Sequence, residues 1–290
     1  MCSSDLATAA AKKALAKSGI AASDLGTLLY CGVCRENFEP ATACAVADGI
    51  GMRGGAFIYD LSNACLGVLN GIVEVANRIE LGQIRAGLVV SCESSREIVE
   101  IALNRMLAGS GGMAEFAPAL ATFTGGSGAV AVLLTDGSFA GPRGHRLLGA
   151  VSEVAPEFHE LCRWGMTPGE DGWHEQFMET DSVAVLKNGT ALGAKTWMEF
   201  LKAMNWNNDT VDKIICHQVG SQHQESFLKL TGLPREKDYT TFRFLGNMGT
   251  AALPVSAAIA DERGVLRPGQ RVGFLGIGSG LSCMMMGVEW

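Results

Sequence analysis

The sequence has no apolar run long enough to cross a membrane, and it carries little positive charge. A bilayer core needs about 20 consecutive apolar residues, so we expect no membrane-spanning helix. The net charge of −7 gives no general attraction for nucleic acid or for an anionic membrane surface. A phosphate-bearing ligand could still bind through local basic residues and helix N-termini.

A cleavable secretory signal is also lacking, because residues 1–20 have the pattern of an amphipathic helix with lysines. Nine cysteines without such a signal predict reduced thiols in the cytoplasm. Cys31 and Cys34 form a C-x-x-C pair, but no second pair stands at zinc-binding spacing. This pair alone does not establish a redox or metal role, and we expect no metal or cofactor.

The apolar content is sufficient for a large folded core, with 48% hydrophobic and 18% charged residues in 290 positions. Short apolar runs predict strands at 27–33, 56–61, 86–91, 127–134, 146–154, 213–216, 271–277 and 281–288. Helical patterns lie between them, at 6–18, 41–49, 66–80, 181–204, 221–231 and 247–260. This alternation predicts an α/β fold with parallel, helix-covered sheets.

The second half of the chain repeats the order of the first, which predicts two similar halves at residues 1–140 and 141–290. Residues 95–123 and 156–180 interrupt the repeat, and long insertions of this kind often act as caps or binding segments. The second half opens with a strand before its long helix. The first half opens directly on the helix, so we expect either that this strand is absent or that the chain is a fragment.

The segment SNACLGVLNG, residues 62–71, places Cys65 between a predicted strand and a predicted helix. A buried cysteine often serves only as a small hydrophobic residue. At a helix start, however, the positive end of the helix dipole stabilises a thiolate and lowers its pKa, which suits a nucleophile. The cysteines in or beside other apolar runs are interpreted as packing residues: Cys44, Cys92, Cys216 and Cys283.

A nucleophilic thiol needs a base or a cationic partner, and the chain has five histidines. His217 follows the strand at 213–216, at the end where open α/β sheets place their ligand sites. The alternative is a buried histidine with satisfied hydrogen bonds. His223 lies six residues on, in the next helix. The other three lie in polar or inserted segments, where ordinary surface roles are possible: His145, His159 and His174.

Two glycine-containing segments complete the set of candidates. LGNMGTAALP, residues 245–254, places Asn247 at the start of a helix of small residues, where helix capping is the simpler role. LGIGSGLSC, residues 275–283, is a turn between two strands. Because no helix follows it, it is not a dinucleotide-binding fingerprint. Its glycines allow close backbone approach, so a backbone N–H there can contribute to an oxyanion hole.

In this order, YDLSNACLGVLNG, ICHQVGSQH, LGNMGTAALP and GIGSGL resemble the motifs of the thiolase superfamily. The resemblance is to its branch of 3-oxoacyl-ACP synthase III-like condensing enzymes, and it covers essentially the whole chain. It implies a five-layered α/β/α/β/α fold, built from two βαβαβαββ halves, and a homodimer. The chain begins at what resembles the family's second helix. We therefore expect an N-terminally truncated member whose first half lacks its first strand, in the centre of the first sheet.

The resemblance also implies an acyltransferase that performs a Claisen condensation. Cys65 would take an acyl group from an acyl-CoA or acyl carrier protein as a thioester. His217 and Asn247 would hydrogen-bond the carbonyl of the second substrate and stabilise its enolate. The backbone N–H groups of Cys65 and Ser279 would hold the oxyanion of the acylated cysteine.

The segment RENFEPATA, residues 35–43, resembles the enzymes that condense two acyl-CoAs head to head in long-chain olefin biosynthesis. In those enzymes this loop reaches into the partner subunit's pocket, so Glu39 would act there. Decarboxylation generates its own carbanion, whereas two unactivated acyl thioesters require removal of an α-proton. A carboxylate in an apolar tunnel could have the raised pKa that suits this step. The alternative is an ordinary loop carboxylate before a proline.

Two other functions remain open at this point. One is decarboxylative condensation with malonyl-ACP in fatty-acid biosynthesis, as in an ordinary 3-oxoacyl-ACP synthase III. The other is an inactive, truncated structural partner of a full-length relative. A degradative thiolase is not predicted, because Cys283 does not match the second catalytic cysteine motif of those enzymes.

Overall fold

A computed structural model describes residues 3–109, 112–141, 144–168 and 174–290, apart from the side chains at positions 114, 115 and 175. The first half contains α1 (Ser3–Ser18), β1 (Thr27–Tyr30), α2 (Thr42–Gly49), β2 (Phe57–Asp60), α3 (Gly67–Glu80), β3 (Ala86–Glu93), α4 (Arg96–Ala108), α5 (Met113–Ala119) and β4 (Gly128–Thr135). The second half contains β5 (Arg146–Val154), β6 (Cys162–Pro168), β7 (His174–Thr180), α6 (Ser182–Met204), β8 (Lys213–Cys216), α7 (Ser221–Thr231), α8 (Phe242–Leu245), α9 (Ala252–Glu262), β9 (Arg271–Gly278) and β10 (Ser282–Glu289).

Two four-stranded sheets form the frame of the molecule. The first has the order β2-β1-β3-β4, in which β1 runs parallel to β2 and β3, and β4 is antiparallel to β3. The second has the order β5-β10-β9-β8, in which β8 is parallel to β9 and β10 is antiparallel to both neighbours. The predicted strands and helices are confirmed, and the largest difference is in the last helix, which was predicted from residue 247 and begins at Ala252.

Alternating side chains of each sheet face two different helical layers, as the two-residue period of a strand requires. In β1, Leu28 packs with the outer helices α1 and α2, whereas Leu29 packs with the central helices α3 and α9. In β8, Ile215 faces the central helices and Ile214 faces α6 and α7. The layers therefore alternate as helices, sheet, central helices, sheet and helices, which confirms the predicted five-layered fold.

The expectation that a first strand belongs in the centre of the first sheet is wrong. In the second half, β5 is the strand that precedes the long helix α6, and it pairs with β10 at the edge of its sheet. The repeat therefore places the equivalent strand of the first half beyond β4, not in the centre. Because β1 pairs directly with β3, from Thr27 opposite Gly87 onward, the first sheet is continuous through its middle.

The two predicted insertions fold against each other. Residues 95–123 form α4, α5 and a short 3-10 turn, and residues 156–180 contain the β6–β7 hairpin. The Nε2 atom of Gln176 on β7 donates a 2.8 Å hydrogen bond to Glu97 of α4. Residues 110–111 and 169–173 of these insertions lie outside the described residues. Within the described ranges, no helix is both long and apolar enough to span a bilayer.

Candidate active site

Cys65 lies in a sharp turn between β2 and α3. The preceding residue, Ala64, has a φ of 44°, a left-handed conformation that non-glycine residues rarely adopt and that often marks a functional site. Helix α3 begins at Gly67, two residues after Cys65. The end of β9 packs directly on this turn, since a Cβ atom at Gly278 would lie 3.3 Å from the backbone nitrogen of Cys65. The glycine allows two backbones to meet, as the GIGSGL motif predicted.

The Cys65 thiol is neutral in this structure. Burial raises its pKa to about 12, and the nearby Cys162 thiol and Glu93 carboxylate raise it further. Burial therefore opposes the thiolate that the helix start predicts for Cys65.

His217 follows β8 directly and is fixed to the neighbouring strand. Its backbone nitrogen donates a 2.9 Å hydrogen bond to the carbonyl of Leu275 in β9. Burial lowers the pKa of His217 to about 4, and the nearby His223 lowers it further. The imidazole is therefore neutral at physiological pH, so one ring nitrogen can donate a hydrogen bond and the other can accept one.

A cavity of about 60 Å³ opens beside His217, between α6 and α7. Its polar lining includes His223 and Gln224, whose Nε2 and Oε1 atoms are buried and have no partner within the described chain. Gly189 and Gly193 of α6 contribute no side chains to this space. A Cβ atom at Gly189 would lie 2.9 Å from the side chain of Ile277, and one at Gly193 would lie 3.4 Å from that of Phe227, so the two glycines let these side chains pack against α6.

Asn247 stands between the two halves. Its backbone nitrogen donates to the carbonyl of Thr124 at 2.9 Å, and its carbonyl accepts from Gly126 at 2.8 Å. Its side-chain Oδ1 accepts a 3.0 Å hydrogen bond from the backbone nitrogen of Gly249, which forms a local turn before the 3-10 turn Gly249–Ala251. The expected capping role is wrong, because α9 begins only at Ala252 and has Ala251 as its N-cap residue. The contact with Gly249 orients the amide and leaves Nδ2 as the donor end.

The segments that carry these residues meet around the start of α3. His217 is bonded to Leu275, and β9 continues from there to Gly278, which contacts Cys65. The segment that carries Asn247 is tied to the same helix, because the Thr250 hydroxyl accepts a 2.7 Å hydrogen bond from the backbone nitrogen of Val68. Ser279 follows Gly278 in the turn before β10, so the backbones that carry Cys65, Ser279, His217 and Asn247 are linked around the start of α3. The cavity beside His217 is lined by neither Cys65 nor Asn247.

Glu39 is not brought into this region. It lies exposed on the loop between β1 and α2, beside Phe38, whose side chain is 100% exposed. The base of the loop is held by residues that sequence reasoning missed. Glu93, the last residue of the fully buried strand β3, accepts hydrogen bonds from the backbone nitrogens of Val33 and Cys34. A charged residue at the carboxyl end of a parallel strand was the available signal.

Both cysteines of the C-x-x-C pair are buried, and burial disfavours their reactive thiolate form. Burial raises the pKa of Cys31 to about 12 and that of Cys34 further still. Cys44 is exposed, so its interpretation as a packing residue is wrong, whereas Cys92 and Cys283 are buried as predicted. In the described part of the chain, no group of three or more histidine, cysteine or acidic residues is arranged to hold a metal ion.

Comparisons with known proteins show similarity along almost the whole chain. Residues 201–290 match the family model described as 3-oxoacyl-[acyl-carrier-protein (ACP)] synthase III C terminal. Acyl-CoA:acyl-CoA alkyltransferase of Shewanella oneidensis is 53% identical over 289 residues, which cover 99% of this chain and 82% of that protein. Beta-ketoacyl-[acyl-carrier-protein] synthase III of Clostridium tetani is 29% identical over 290 residues, which cover 99% of this chain and 84% of that protein.

A solved structure gives the same result. Xanthomonas campestris OleA with bound lauric acid and lauroyl-CoA superimposes with a TM-score of 0.92 at 34% identity, covering 100% of this chain and 83% of that one. The fold and the site define an acyltransferase of the thiolase-like condensing class. The chain belongs to the 3-oxoacyl-ACP synthase III-like family that includes the acyl-CoA:acyl-CoA alkyltransferases.

Proposed function

We propose that this enzyme joins two fatty acyl-CoA molecules head to head, with Cys65 as the residue that carries the first acyl group. The observation that supports this most directly is the meeting of the Cys65 turn with the His217, Asn247 and Gly278 segments around the start of α3. The relatives named acyl-CoA:acyl-CoA alkyltransferase support the choice of two acyl-CoA substrates.

In the first half-reaction, the sulfur of Cys65 forms a bond to the acyl carbonyl carbon and the bond from that carbon to the CoA sulfur breaks. The thiol proton leaves with CoA as its free thiol. A negative oxygen forms on the way, and the backbone N–H groups of Cys65 and Ser279 stabilise it. Contact between Gly278 and the Cys65 backbone nitrogen supports this pairing, because it holds the two donors on adjacent backbone segments.

In the second half-reaction, a base removes the α-proton of another acyl-CoA, and the enolate carbon attacks the Cys65 thioester. A carbon–carbon bond forms, the bond to the cysteine sulfur breaks, and the sulfur recovers a proton as a thiol. The product is a 3-oxoacyl thioester. Neutral His217 and the Nδ2 group of Asn247 donate hydrogen bonds to the enolate oxygen, and a lowered histidine pKa suits this donor role.

The base in this scheme is the partner's Glu39 in a homodimer. Glu39 and the fully exposed Phe38 lie on the surface loop between β1 and α2. A second copy that covers this loop would bury an apolar ring and move the carboxylate into an apolar environment. The partners in this scheme are acyl-CoA or acyl carrier protein thioesters and the second copy, and its chemistry calls for no metal or cofactor and suits a reducing cytoplasm.

The test is a reaction with a single acyl-CoA and no malonyl donor. We expect a mass increase of one acyl group on Cys65 by intact-protein mass spectrometry, followed by release of a 3-oxoacyl product. Cys65→Ala should abolish both, and Cys44→Ala, which removes an exposed thiol, should change neither. Product only after addition of malonyl-ACP would instead establish the decarboxylative reaction. Absence of acylation would indicate an inactive partner of a full-length relative.

A further inference from the structure

Glu93 is a buried carboxylate to which neither the sequence motifs nor the proposed reaction assigns a role. It ends β3, a strand buried along its whole length, and its own side chain is only 6% exposed. A buried carboxylate is costly unless donors compensate for its lost hydration. Its presence in the centre of the molecule therefore calls for an account of the groups that it binds.

The first set of donors belongs to the loop that carries Glu39. Oε1 of Glu93 accepts a 2.9 Å hydrogen bond from the backbone nitrogen of Val33, and Oε2 accepts one of 3.2 Å from that of Cys34. The loop then runs outward to Glu39. Its far end is held separately, because Asp60 accepts hydrogen bonds of 2.9 Å from the backbone nitrogens at positions 42 and 43.

The second set of donors belongs to the segment that carries Asn247. Oε1 of Glu93 would lie 3.5 Å from a Cβ atom at Gly249, so carboxylate and segment are in direct contact. The backbone N–H of Thr250 also points to the carboxylate and lowers its pKa, which opposes the rise that burial causes. Gly249 is in turn the donor to Oδ1 of Asn247.

We propose that Glu93 is a positioning residue for the condensation step, because it fixes the base of the Glu39 loop and the Asn247 segment against each other. This inference rests on the proposed function, in which both residues serve the second half-reaction. Neither of the two contacts includes the sulfur of Cys65. Misplacement of a reacting group by about 1 Å can lower a rate about 100-fold, so a rigid link between these segments matters for the rate.

The test compares the two half-reactions in Glu93→Gln with those of the wild type. The amide cannot accept from two backbone N–H groups through two oxygens, so we expect condensation to fall by about tenfold or more. Acylation of Cys65 should stay within about threefold of wild type. Glu100→Gln is the matched control, because Glu100 is an exposed carboxylate of α4 that pairs with Arg96 one turn earlier in the same helix.

A second readout separates positioning from simple structural support. The Glu93 charge raises the pKa of Cys65, so its removal should move the pH profile of Cys65 alkylation by iodoacetamide to lower pH. Glu93→Asp keeps the charge but withdraws the oxygens. Glu93→Asp should lose condensation without a shift in the pH profile of Cys65 alkylation. It replaces Glu93→Gln in the test if that variant does not fold.

Each outcome decides the matter. Unchanged condensation in both variants, or equal loss of acylation and condensation in both, would overturn the proposal. A wild-type enzyme that is acylated but gives no product from acyl-CoA alone would contradict the proposed function itself, and the role of Glu93 with it. Loss of condensation in both variants with acylation retained establishes the positioning role.

Discussion

The hydroxyl of Thr250 accepts a 2.7 Å hydrogen bond from the backbone nitrogen of Val68, across 182 residues of sequence. Val68 lies in the first turn of α3, where backbone N–H groups have no partner within the helix. A residue of the second half therefore caps the helix that follows Cys65 in the first. The two halves share this contact in the central layer, where the candidate active site lies.

Replacement of Thr250 by valine should destabilise the protein without a change in side-chain size. The buried N–H of Val68 would lose its acceptor, which costs about 1–3 kcal/mol of unfolding free energy. Urea unfolding followed by circular dichroism measures the difference. Thr231→Val is the control, since the Thr231 hydroxyl donates to carbonyls of its own helix, those of Phe227 and Leu228. Equal stability of the two variants would show that the cross-half contact contributes little.

Asp60, which caps the start of α2, should contribute more to the unfolding free energy than Asp48, which lies near the end of that helix. It accepts from the backbone nitrogens of Thr42 and Ala43 at 2.9 Å and lies 3.8 Å from Arg35, whereas Asp48 is exposed and pairs with Arg53. Loss of an N-cap costs about 1–2 kcal/mol, so Asp60→Ala should lower the unfolding free energy by that amount. Asp48→Ala should change it by less than about 0.5 kcal/mol. Thermal and urea unfolding of both variants tests the ranking.

Much of the fold follows from local patterns in the sequence. The buried strand TLLY alternates sides because of its backbone, so Leu28 and Leu29 must face two different layers, and each strand of this kind predicts helices on both faces. The order of the strands in each sheet does not follow from such local patterns. The edge position of the strand beside β10 depends on which surfaces meet in three dimensions, and no pattern along the chain specifies it.

The candidate site was predictable where a motif marks it and not where burial decides the chemistry. The cysteine, histidine and asparagine motifs identify Cys65, His217 and Asn247 in their order along the chain. The helix start predicted a thiolate, but the charged and titratable groups that raise the pKa of Cys65 come from distant segments and include Glu93 and Cys162. The same is true of Glu93, whose donors lie about 60 residues before it and far beyond it.

The reactivity of Cys65 should depend steeply on pH. Because burial raises its pKa to about 12, the thiolate fraction at neutral pH is very small and should grow about tenfold per pH unit up to that value. Alkylation by iodoacetamide, quantified by peptide mass spectrometry, measures this directly. The exposed Cys44 in the same sample is an internal control for reagent reactivity. Rapid labelling of Cys65 at pH 7 would contradict the neutral thiol.

His217 should make the protein less stable as the solution becomes acidic. Its folded pKa of about 4 lies below the ordinary value of 6.5, so the unfolded chain binds the proton more readily between these values. Stability should therefore fall as the pH drops from 6.5 toward 4, by up to about 3 kcal/mol from this group. Asp238 acts in the opposite direction, because burial raises its pKa to about 6 and favours the folded state on acidification.

A variant isolates the histidine contribution from that of Asp238. His217→Gln removes the titrating imidazole, so its unfolding free energy should decline less than that of the wild type between pH 6.5 and pH 4.5. His159→Gln, at an exposed position, should follow the wild-type curve. Parallel curves for wild type and His217→Gln would show that His217 is not held neutral by burial.

Complementation tests whether Glu39 acts across a dimer. A Glu39→Gln chain keeps Cys65, and a Cys65→Ala chain keeps Glu39, so each homodimer should fail to release the condensed product. In a purified heterodimer of the two, the site with an intact Cys65 receives an intact Glu39 only if the loop reaches the partner. We then expect about half of the wild-type activity per dimer, because one site of the two is complete. An inactive heterodimer would show that Glu39 serves its own chain or no site at all, and differently tagged chains purified over two affinity columns keep homodimers out of the measurement.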